Sequence, residues 1–76
     1  MEFDQIIDSL EMIKEDVGIP KNLKLKIDKI KSILNNKDEE IEIRTHKAGV
    51  ILDEISNDSS IQPFIRTQIY QIVSLL

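Results

Sequence analysis

Leu52-Asp53-Glu54-Ile55-Ser56-Asn57-Asp58-Ser59-Ser60-Ile61 restates, 42 residues later, the stretch Leu10-Glu11-Met12-Ile13-Lys14-Glu15-Asp16-Val17-Gly18-Ile19. In both, two apolar residues three apart precede an Asp, and an Ile follows that Asp three places on. Sliding the chain by 42 lays residues 6–34 on residues 48–76, and eight of the 29 pairs are identical, among them Leu10/Leu52, Ile13/Ile55, Asp16/Asp58, Ile19/Ile61 and Ile27/Ile69. Any two amphipathic hairpins in an isoleucine-rich chain share some of this by chance. The Asp at the turn, and Pro20 and Pro63 within one position of register, favour a true repeat.

Outward from these turns the apolar spacing is helical. Phe3, Ile6, Ile7, Leu10, Ile13 and Val17 recur at three and four, which predicts a helix over 3–17, ended by Gly18 in the left-handed C′ position. Pro20 fits the first turn of a second helix, 20–35, with Leu23, Ile27, Ile30 and Leu34 as its stripe. Asn36 and Glu39 read as a capping box for a third helix, 37–56, whose stripe is Ile41, Ala48, Ile51, Leu52 and Ile55. Pro63 opens a fourth, 63–75. A hairpin of this length with Asp at its turn resembles a HEAT-type unit. Two units are too few for an open stack, so residues 1–76 are expected to close as one compact, all-α, up-and-down four-helix bundle.

The chain has 76 residues, no Cys and one His, which excludes disulfides, thiolate metal sites and a multi-histidine zinc site. Fifteen residues are Ile. No basic-then-apolar leader precedes the first helix and no apolar run approaches the roughly 18 residues of a membrane span. A cytoplasmic protein without a membrane segment is the expectation. Net charge is −4, but it is divided unevenly: −5 over residues 1–17, +5 over 18–37, −5 over 38–60 and +1 over 61–76.

The most specific stretch, Ile51-Leu52-Asp53-Glu54-Ile55-Ser56-Asn57-Asp58, continues into Arg66-Thr67 and Ile72-Val73-Ser74, with Ile19-Pro20-Lys21-Asn22-Leu23 as the corresponding turn in the first half. Through these residues nearly the whole chain resembles a small archaeal group, uncharacterised protein family 0147. The resemblance implies a four-helix up-and-down bundle and brings no activity, cofactor or catalytic residue. Ser59 stands where the family pattern has Pro, and Tyr70 where it has Trp.

Nothing in the sequence assembles a catalytic, cofactor or metal site. His46, in Arg44-Thr45-His46-Lys47, points about 160° from the Ala48 stripe and reads as a solvated residue between cations. Asp53-Glu54 and Asp38-Glu39-Glu40 are consecutive, so their carboxylates diverge by about 100° per residue. The turn at 57–60 lacks the glycine and acidic density of a calcium loop. Lys24, Lys26 and Lys31 on the basic second helix are candidate nucleic-acid contacts. They also flank its apolar stripe where acidic neighbours lie, so internal charge complementarity accounts for them without a ligand, and no aromatic stacking partner accompanies them.

Leu25, Ile43, Val50 and Tyr70 project away from their stripes and form a candidate partner surface. The fourth helix carries Arg66 as its one charge, as a helix covered on more than one side would. The reading is a non-enzymatic interaction module, a homodimer or the binder of another protein. The alternatives are a nucleic-acid-associated protein using the second helix, a carrier with a ligand in the bundle core and, last, an enzyme.

Overall fold

The computed structural model describes residues 3–16 and 18–76. They form α1 (Asp4–Lys14), α2 (Lys21–Leu34), α3 (Ile41–Ser56) and α4 (Pro63–Leu75). Each helix packs on its neighbours in sequence, and α4 returns to α1, so the four make a closed square. Loops of six residues, 15–20, 35–40 and 57–62, are too short for anything but antiparallel neighbours. Leu10, Ile27, Ile30, Leu34, Ala48, Leu52, Ile55 and Ile69 are almost wholly removed from water and form the centre. Ile19 and Ile61, from the first and third loops, close one end of the core.

The three loops are closed by the same hydrogen bonds. The side-chain oxygen of Asp16, Asn36 or Asp58 accepts the backbone N–H two residues on, from Gly18 (3.0 Å), Asp38 (3.2 Å) and Ser60 (2.9 Å). The backbone N–H of Asp16, Asn36 or Asp58 itself donates to the carbonyl of Ile13, Ile33 or Ile55, and its carbonyl accepts from Ile19, Glu39 or Ile61. Asp and Asn suit this place because a short side chain can satisfy a backbone donor within the turn itself. The chain then extends at Pro20, Glu40 and Gln62, with φ of −61°, −64° and −68° and ψ near 150°, before the next helix begins.

Several local expectations are corrected. α1 closes at Glu15, so Gly18 lies beyond the C′ position and in the turn, its N–H bound to Asp16. Val17, placed on the first stripe, lies outside the described residues. Asn36 and Glu39 form no capping box: the Asn36 side chain is taken by the N–H of Asp38, Glu39 pairs with Lys47, and α3 starts at Ile41 rather than residue 37. Pro20 is the residue before α2, whereas Pro63 is inside α4 as expected, which accounts for their one-residue offset. Ile41, expected in the core, is 48% exposed because it lies one turn outside the layer where Arg44 meets the end of α2.

Candidate functional site

Arg44 and Arg66 hold equivalent places, each ten residues after the last residue of the preceding helix. Arg44 donates from Nη1 to the carbonyl of Leu34, the last residue of α2, at 2.9 Å, and its guanidinium lies 5.3 Å from the centre of the Phe3 ring. Arg66 donates from Nε to the carbonyl of Ser56, the last residue of α3, at 3.0 Å, and from Nη2 to that of Asp58 at 2.9 Å. Carbonyls at a helix C-terminus have no partner within the helix and carry its partial negative charge, so a guanidinium there supplies both a donor and a cation. Arg44 is buried at 7% exposure. His46 itself is exposed. Both arginines are therefore structural.

Asp58 holds the third loop through Ser60, whose hydroxyl donates to the same Oδ1 at 2.7 Å as its backbone N–H. These two Ser60 donors, with a smaller part from Lys26 and Arg66 nearby, hold the Asp58 carboxyl below its ordinary value. Among the described residues no three His, Cys, Asp or Glu side chains gather where they could hold a metal ion.

The lysines of α2 divide as their spacing suggests. Lys31 pairs with Glu11 of α1, and Asp28 of α2 takes Lys14 of α1, which marks that flank of α2 as the α1 side. At about 100° per residue Lys24 shares the α1 side and Lys26 lies on the flank toward α3. Lys26 is also close enough to act on Asp58. Two of the three candidate nucleic-acid lysines thus have acidic neighbours within the chain.

Leu25, Ile43, Val50 and Tyr70 are 59%, 42%, 47% and 56% exposed. They do not converge. Arg44 reaching Leu34 marks the α2 side of α3, and Ile43 and Val50 project outward on that side. Tyr70 projects on the α3 side of α4, the side from which Arg66 reaches Ser56, so it lies around the opposite flank of α3. Leu25 stands at the outer apex of α2. More than half of the Tyr70 side chain is open to solvent.

A feature that no motif announces lies between α1 and α4. Gln5, Ser9 and Met12 of α1 face Gln68, Gln71 and Leu75 of α4 across a half-open groove of about 380 Å³. Ile13 and Ile72 form part of its floor. A second hollow, about 60 Å³, lies between the first and third loops. Among the described residues the larger groove has no charged side chain in its walls, and its signal in the sequence is the step of four and three that carries Gln5, Ser9 and Met12 along α1 opposite the flank of α4 that lacks Arg66.

A family model described as "Uncharacterised protein family (UPF0147)" matches residues 1–76. A UPF0147 protein of Methanothermobacter thermautotrophicus is 38% identical over 74 residues, 97% of this chain and 72% of its own. The crystal structure of the unknown-function protein MMP1188 matches with a TM-score of 0.90 and 36% identity, over 97% of this chain and 84% of that one. The crystal structure of a UPF0147 protein from Thermoplasma acidophilum matches with a TM-score of 0.90 and 27% identity, over 97% and 87%.

Proposed function

The chain belongs to the uncharacterised protein family UPF0147, and from that premise we propose that it is a non-enzymatic protein-interaction module, in the cytoplasm, that associates with itself. The observation that carries this reading is the supply of exposed apolar side chains on a very small bundle. Met12, Leu25, Ile41, Ile43, Val50, Phe64, Tyr70, Val73 and Leu75 are each more than 40% exposed. Single exposed apolar residues are ordinary, but a chain of this size buries a small share of its surface and gains more than a large one from covering such residues. No helix is long and apolar enough to cross a membrane among the described residues, so a bilayer core does not account for them.

Sedimentation equilibrium tests the reading. A mass rising toward twice the 8.8 kDa of the chain is expected as concentration is raised through the tens to hundreds of micromolar, roughly the range for a small interface. A fixed monomer mass throughout would remove self-association.

The nucleic-acid reading of α2 rests on its lysines, of which Lys31 is already engaged by Glu11. If it held, retention of RNA or DNA would fall with salt and be lost in Lys24→Glu and Lys31→Glu chains.

A further inference from the structure

We infer that the uncharged groove between α1 and α4 is the face on which a second copy of the chain docks. The inference rests on the self-association reading and names its surface.

Among the described residues, charge is absent from both walls. The chain is 32% charged, yet Gln5, Ser9, Met12, Gln68, Gln71 and Leu75 line the groove along the length of two helices. Met12, on the rim, is 72% exposed, more than any other large apolar side chain described. Core positions of an interface are depleted of charge and enriched in Met, whereas a solvated helix flank carries charge.

The chemistry of the walls also selects the partner. Gln and Ser each both donate and accept, so a wall built of them can satisfy a copy of itself across a two-fold axis. A charged partner would find no counter-charge among the described residues of the groove. Asp8 and Glu15 follow on the outer side of α1, whereas on α4 Ser74 lines the groove and Thr67 follows on the outer side. A two-fold axis running along the groove lays α1 of one copy over α4 of the other, antiparallel as the two are within one chain, and keeps the acidic border of each copy against the uncharged border of its partner. An axis across the groove would set acid on acid. The charge distribution selects the first arrangement.

Size sets the strength. The bundle measures 33 by 20 by 18 Å, so the outline of one long face is only about 600 Å², a small footprint for an interface that in standard cases buries roughly 800 Å² per partner. The dimer is therefore of modest affinity.

Light scattering or sedimentation on charge variants decides the matter. Met12→Glu and Gln71→Lys, both at exposed positions, are expected to keep the helical content and melting midpoint of the parent and to raise the dimer dissociation constant at least about tenfold, the scale of burying an unpaired charge. Mixing the two variants is expected to restore a dimer, because the carboxylate introduced on α1 of one copy then meets the ammonium introduced on α4 of the other. A dimer that survives both variants, whether or not it is lost in Leu25→Glu or Val50→Glu, would overturn this face while leaving self-association in place. Weakening by both without rescue in the mixture would overturn the α1-over-α4 arrangement. A parent chain that stays monomeric would overturn self-association and this inference together.

Discussion

Arg44 shows how much one position along a helix decides. Counted from the loop residue that closes each turn, Ile43 stands where Leu23 stands in α2 and Ile65 in α4, and both of those are core. In α3 the core-facing residues Ala48, Leu52 and Ile55 turn the helix by one position, so Ile43 faces out and Arg44 faces in. A periodicity can place a stripe, but it cannot show that a long cation folds over a ring to reach a carbonyl ten residues away in sequence. Arg44→Ala is expected to cost about 1.5–3 kcal/mol in thermal unfolding, the range for a hydrogen bond from a charged group. Arg44→Lys should recover part of it, keeping the cation and losing the planar fork. Asp58 gives a second test. Its folded-state carboxyl lies below the ordinary 3.8, so its contribution is present above that value and is lost as the pH falls through the lowered one. Carboxyl NMR titration should find this, and Ser60→Ala, which removes the largest cause, should move the Asp58 midpoint upward.

At the scale of elements, four helices and three turns were legible because amphipathic spacing and loop chemistry agree. The ends of the elements were less so. Asn36 followed three residues later by Glu39 has the pattern of a capping box, but the same Asn can satisfy a backbone donor in a turn, and here the turn takes it. The identity of the three loops was hidden for a related reason. Asp16, Asn36 and Asp58 recur at 20 and 22 residues with the same bonds around them, yet Glu39 stands in the middle loop where Ile19 and Ile61 stand in the others. The sequence match at 42 residues therefore skips the middle turn. Replacing Asp16 or Asn36 by Ala should cost about 0.5–1.5 kcal/mol in denaturant unfolding, the worth of one hydrogen bond. Gly49, inside α3, has room: a Cβ there would lie 3.9 Å from the nearest side-chain atom, on Leu76. Gly49→Ala should stabilise by about 0.5–1 kcal/mol and raise the melting midpoint by several degrees.

For the whole molecule, the alternation of charge along the sequence becomes partly an internal arrangement, with Glu11 meeting Lys31 and Lys14 meeting Asp28 where α1 packs on α2. Such exposed pairs contribute about 0–1 kcal/mol each, so they direct which faces meet more than they hold the bundle together. Among the described residues, the groove between α1 and α4 carries no charge in its walls. It is not legible in the sequence because Leu25, Ile43, Val50 and Tyr70 announce themselves as apolar residues off a stripe, whereas Gln and Ser along a wall are conspicuous only once the two helices are known to face each other. A dimer held by that wall should not weaken as salt is raised, since no ion pair crosses it and screening eases the repulsion between two copies that each carry −4. The most direct measurement is an isotope-filtered NMR experiment on a mixture of labelled and unlabelled chains at high concentration. The Met12 methyl group of one copy is expected to show contacts with Gln68 and Gln71 of the other; intermolecular contacts confined to Leu25, Val50 or Tyr70, or none at all, would contradict the account.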